Sequence, residues 1–173
     1  MLNNTQAPEF ANISESLFTT EVGMPDKSPP AAVAKRLIRE ATKAALGTLQ
    51  VGDKSPYVSM VLVATDANGA PTLLLSRLAR HTRNLEADNR VSLLIDATGG
   101  LGDPVTGARL SLTGHISPAS DPDVRARFLA HHPAAAGYAD FADFAFYLVD
   151  VTSGHLIEGF GRIVDIPRQG LLG

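Results

Sequence analysis

From Ser28 to Leu46 apolar side chains recur every three to four residues, with Val33, Leu37, Ala41 and Ala44 or Ala45 on one stripe. That spacing predicts a helix with one buried face. Ser28-Pro29-Pro30 suits its start, because proline loses nothing where the N–H has no helical partner, and Leu46-Gly47 is its predicted end. The period then falls to two. Residues 48–51 and 57–65 read as strands separated by the turn cluster Gly52-Asp53-Lys54-Ser55-Pro56. Asp66-Ala67-Asn68-Gly69 is a hairpin signal, since Asn-Gly accepts the positive φ of a tight turn, and residues 71–76 return as the partner strand. A short helix over 82–87, a strand over 90–96, a glycine-rich loop over 97–107 and a long strand over 108–117 follow. Asp121-Pro122 opens another helix that Pro133 closes after His132, and 134–143 is a helical or irregular connection. Residues 144–151 and 155–166 form the last pair of strands, the second interrupted at Gly159-Phe160-Gly161.

Six to eight short strands with hairpin links, and no regular strand–helix alternation, predict an antiparallel sheet rather than a doubly wound fold. The reading is mainly β with α, a small closed or partly closed barrel flanked by two or three helices. Residues 29–173 form the one domain, and residues 1–28, in which apolar positions follow no period, form an N-terminal arm.

Composition narrows the class. Hydrophobic residues are 45% and charged residues 19% of 173, which excludes wholesale disorder and a coiled coil. The net charge of −3 provides no global drive towards nucleic acid or an anionic membrane. Cysteine is absent, which excludes disulfides, thiolate metal sites and a cysteine nucleophile. No apolar run approaches the ~20 residues of a membrane span, and the first ten residues lack a secretory pattern; a cytoplasmic protein is expected.

One segment carries chemistry. Ser76-Arg77-Leu78-Ala79-Arg80-His81-Thr82-Arg83-Asn84 places three arginines, a histidine and two hydroxyls in nine residues, between a strand end and a helix start. Free N–H groups and the helix dipole favour an anion there, and arginine grips phosphate through paired hydrogen bonds. Two readings compete, a phosphate cradle and a solvated basic loop. Gly99-Gly100-Leu101-Gly102 lacks the lysine of a phosphate-binding loop and reads as a turn. His131 and His132 sit in a last helical turn, where they suit the dipole better than a metal, so no metal site is assigned.

The ordered series Gly47-Thr48-Leu49, Pro56-Tyr57-Val58-Ser59, Asp66…Gly69-Ala70-Pro71, Leu75-Ser76, His81-Thr82-Arg83-Asn84-Leu85, Asp88-Asn89-Arg90-Val91-Ser92-Leu93, Arg109 to Gly114, His132-Pro133 and Gly159-Phe160-Gly161-Arg162 resembles the FMN-binding split-barrel family related to pyridoxamine 5′-phosphate oxidase. The branch it looks most like contains the bacterial haem-utilisation oxygenases. The resemblance covers residues 32–167 and favours the phosphate cradle. It implies a six-stranded antiparallel Greek-key split barrel and a homodimer with FMN in a cleft between subunits. Carried over, strand 57–61 with Ser59 runs along the flavin, and Leu75 and Ser76 meet it at a strand end. Arg80 and His81 match the basic pair on the phosphate, with Thr82 and Asn84 as further donors, and Arg109 lies near the flavin ring. Histidine where the oxidase has lysine makes that charge depend on pH; arginine where it has glutamine alters the ring's electrostatics. The function so implied is an FMN-dependent oxidoreductase acting on an unidentified small molecule, with no catalytic side chain assigned. Two alternatives remain: a haem-binding or haem-degrading barrel with a histidine on the iron, His155 being a candidate, and a flavin-binding module without turnover.

Overall fold

The computed structural model describes residues 28–173. The expected N-terminal arm lies outside them except for Ser28. Four helices and eight strands form: α1 Pro30–Glu40, β1 Lys43–Leu49, β2 Pro56–Leu62, β3 Ala64–Thr65, β4 Pro71–Ser76, α2 Arg80–Ala87, β5 Arg90–Asp96, β6 Ala108–Pro118, α3 Pro122–His131, β7 Phe144–Glu158, β8 Arg162–Pro167 and α4 Arg168–Leu171. All eight strands belong to one antiparallel sheet ordered β2-β1-β5-β6-β7-β4-β3, with β8 also on β7. The sheet is the split barrel expected, with eight strands rather than six: β3 is a two-residue continuation of β2, and β8 is a return strand after β7.

The first helix is shorter than its periodicity suggests. α1 stops at Glu40, Ala41 is extended (ψ 127), and Ala44, Leu46 and Thr48 are buried alternately along β1. Alanine at 41, 44 and 45 satisfies a helical stripe as well as a strand face, so pairing with β2 and β5 decides the outcome. The hairpin at Asp66–Gly69 forms, with Gly69 at φ +85 and the Asp66 carboxylate accepting from the N–H groups of Asn68 and Ala70. It joins β4 only to the two residues of β3, however, while the opposite edge of β4 pairs with β7.

The predicted break between 151 and 155 is a bulge instead of a turn. β7 runs unbroken for 15 residues, and opposite β6 the register steps from Thr113↔Ser153 to Gly114↔Val151, leaving Thr152 as the extra residue. The chain reverses only at Gly159 and Gly161, both at positive φ. β6 lies along one edge of β7; β4 takes the first third of the other edge and β8 the last third. The main core fills the barrel from Leu46, Leu73, Leu93, Leu110, Leu112, Val149 and Leu156, and α1 closes it with Val33 and Ile38. A second cluster around Phe128 packs α3 against Leu74 on the other face of β4.

Gly114 faces this bulge, and a Cβ there would overlap the carbonyl oxygen of Asp150, a backbone atom. Gly114→Ala should therefore lower stability by about 1–3 kcal/mol, read as a reduced midpoint in chemical denaturation; an unchanged midpoint would show that the bulge relaxes freely.

Candidate functional site

The basic segment is held by hydrogen bonds rather than left as a solvated loop. Ser76 ends β4, and its carbonyl accepts from the Ala79 N–H (3.1 Å) and from the Thr82 hydroxyl (2.7 Å). Its own hydroxyl donates to Asp143 (2.6 Å) and accepts from the Leu78 N–H (3.2 Å). This turn starts α2 at Arg80, two residues before the expected start. Ala79 is the N-cap and offers no side-chain oxygen, and no acidic residue sits in the first turn. The N-terminal N–H groups thus stand beside Arg77, Arg80 and Arg83, all exposed, a combination that suits an anion.

Two contacts pin α2 to the barrel. Asn84, 3% exposed, donates to the Thr48 hydroxyl at 3.0 Å, and His81 Nδ1 lies 3.0 Å from Ser59 Oγ. Arg80 reaches back over the Tyr57 ring at 5.5 Å and touches Gln50 at 3.4 Å. Beside His81 opens a cleft of about 330 Å³ lined by Met60, Leu62, Ser76, His81, Tyr138 and Phe144. Tyr138 and Phe144 stack at 5.1 Å between centroids, giving the cleft an aromatic wall.

Of the residues singled out from sequence, Ser59, Leu75, Ser76 and His81 gather at this cleft, with Arg80 at its outer rim. Thr82 and Asn84 are at the same place but turned inward, their side chains engaged with Ser76 and Thr48. Arg109 is elsewhere: it pairs with Asp96 across β5 and β6 and donates to the carbonyls of Val105 (3.1 Å) and Gly107 (3.3 Å). His155 is on the exposed face of β7, bonded to Asp165 at 2.7 Å. His131 and His132 contact the Ala41 and Val63 carbonyls (3.0 and 2.8 Å). No metal-binding group of three or more such side chains occurs among the described residues. Asp143, Tyr138 and Phe144 escaped the sequence reading, since a connection with no period reveals nothing of where it folds back; the Tyr138…Phe141…Phe144 spacing was its one signal.

Burial holds the His81 imidazole below its ordinary value of 6.5, so it is neutral at pH 7 and supplies no cation. Its bond to Ser59 occupies Nδ1, while Nε2 bonds to no described residue. A neutral imidazole oriented through one nitrogen, in an aromatic cleft, has the donor chemistry of a haem-iron ligand. The uncapped α2 start and Arg80 equally suit an acidic group, phosphate or propionate.

Because the folded pKa is depressed, the unfolded chain binds more protons as pH drops below about 6.5, and stability contributed by neutral His81 is lost with acidification. Denaturation midpoints should fall between about pH 7.5 and pH 5.5, and His81→Gln should flatten that part of the curve. An identical slope in the variant would assign the loss to other groups.

The comparisons with known proteins bear on the fold and the family. Over 109 residues, 60% of this chain, the sequence is 42% identical to the chloroplastic non-canonical heme oxygenase HOZ of Arabidopsis thaliana. The chain spans about a third of that relative's length, 32%. A solved heme binding protein from Mycobacterium smegmatis is 28% identical, with a TM-score of 0.77 over 84% of this chain and 61% of that one. A general stress protein 26 relative of the pyridoxinephosphate oxidase family, from Clostridium acetobutylicum, shares the fold alone: 14% identity and a TM-score of 0.61 over 82% of this chain and 96% of that one. No helix among the described residues is long and apolar enough to cross a membrane. The CREG β-barrel profile matches residues 25–170, and this chain belongs to that family.

Proposed function

We propose that this protein binds haem in the cleft beside α2 and acts in haem degradation, with His81 as the iron ligand. The observation that carries the reading is His81 itself: half-buried, neutral at pH 7, oriented by Ser59 and lining an aromatic cleft. The names of two relatives above 25% identity support it, one a heme oxygenase and one a heme binding protein. Bound haem supplies the redox chemistry on dioxygen. The chain's residues then divide the remaining work. Ser59 orients the imidazole, Tyr138 and Phe144 would give the ring an aromatic wall, and Arg80 with the α2 N–H groups would hold an acidic substituent.

A second reading, FMN and a flavin-dependent oxidoreductase, is favoured by one observation: the uncapped α2 start beside Arg77, Arg80 and Arg83 is the place for a dianionic phosphate. In that case Ser59, Leu75 and Ser76 border the flavin, and Arg80 holds the phosphate. The expectation that His81 adds a cation to that phosphate loses its footing, because burial keeps the ring neutral.

Titration of the protein with haemin and with FMN separates the two. The haem reading predicts a Soret shift and an affinity for haemin that falls at least tenfold in His81→Ala, about 1.4 kcal/mol. If FMN binds more tightly than haemin, and Arg80→Ala weakens FMN but not riboflavin, the flavin reading replaces it.

We further propose that the working form is a homodimer covering the outer face of β2, β1 and β5. Val58 and Met60 there are 65% and 68% exposed, beside Leu94, and Met60 also borders the cleft. Met60→Glu should halve the mass measured by light scattering at micromolar concentration. A wild-type monomer would end this part of the proposal.

A further inference from the structure

Behind α2, away from the cleft, a second cavity of about 540 Å³ opens between the helix and the ends of β6 and β7. Its apolar floor is Leu85 and Ile116, and five polar side chains surround it: Arg77, Glu86, Asn89, Ser117 and Tyr147. Tyr147 is 7% exposed as a residue, and its hydroxyl, which makes no hydrogen bond to a described residue, is open to solvent rather than buried. Arg77 and Glu86 carry opposite charges, and both act electrostatically on the phenol; burial, first, and Glu86 push its pKa up while Arg77 opposes them. Nevertheless the two form no ion pair with each other. The Arg77 backbone is fixed to the Asp143 carbonyl (2.6 Å) and the Asn89 carbonyl accepts from the Ile116 N–H (2.9 Å), so the two rims are anchored apart by the fold.

Opposite charges held across an apolar hollow, with a phenol hydroxyl open to solvent beside them, complement a ligand that carries both charges itself. We propose that this cavity is a second small-molecule site, for a zwitterion with an apolar body in the size class of an aromatic α-amino acid. The carboxylate meets Arg77 and the Tyr147 hydroxyl, the ammonium meets Glu86, and the apolar body lies on Leu85 and Ile116. The site lies apart from the proposed haem cleft and stands or falls independently of it.

Calorimetric titration of the full chain with L-phenylalanine, 3-phenylpropionate and phenethylamine tests the charge pattern. L-phenylalanine should bind with a Kd of about 1 mM or tighter, and each singly charged analogue at least tenfold more weakly. Tyr147→Phe should weaken L-phenylalanine at least fivefold. Because Tyr147 is buried, Glu86→Gln on the exposed helix surface is the second variant: it should reduce L-phenylalanine binding while leaving 3-phenylpropionate unchanged. Absence of binding by all three probes, equal affinities among them, or variants that bind L-phenylalanine like the wild type would overturn the proposal.

Discussion

The strand β7 is the constraint on which the other elements depend. Its fifteen residues pair with β6 along one edge, and with β4 and then β8 along the other. A flat strand could not serve three partners in a curled sheet. The extra residue Thr152 and the side-chain-free Gly114 opposite it supply the local twist where the edge passes from β4 to β8. The same pairing sets Ser76, the last residue of β4, against Phe144, the first of β7, so the cleft lies where β4 and β7 meet.

That placement explains why a run of cationic residues borders the cleft. Ser76 gives its carbonyl to Ala79 and Thr82 and its hydroxyl to Asp143, and α2 can begin only in the direction those bonds permit. Asn84 and His81 then fasten the helix to β1 and β2. Thr82 and Asn84 are thereby withdrawn from ligand contact, His81 keeps Nε2 without a partner among the described residues, and the side chains at the helix's open end face outward. One helix thus forms a wall of two hollows, an aromatic cleft with a neutral imidazole on one side and a charge-bracketed cavity on the other.

Much of this was legible in the sequence, unevenly. Strands whose apolar residues alternate with polar ones, such as β5 with Val91, Leu93 and Ile95 buried, matched to the residue. The alanine-rich stretch 41–45 misled, because alanine fits either period and only β2 and β5 could decide it. Glycine at 154 marked a close approach of Leu171 rather than a turn. In the site, residue types pointed to an anion-binding segment, but not to which side chains the fold would consume. Thr82 and Asn84 look like ligand donors until their buried partners are known, and the neutrality of His81 follows from burial that no local pattern displays.

Flavin and haem make opposite demands on His81, cation or neutral ligand, so the nitrogen it offers is the point to measure. Pulsed electron paramagnetic resonance of the ferric haem complex, prepared with ¹⁵N-labelled histidine, reads an axial imidazole directly. The account predicts ¹⁵N coupling in the wild type, retained in His155→Ala and abolished in His81→Ala. Coupling that survives intact in His81→Ala, or a wild-type protein that forms no haem complex, would contradict it.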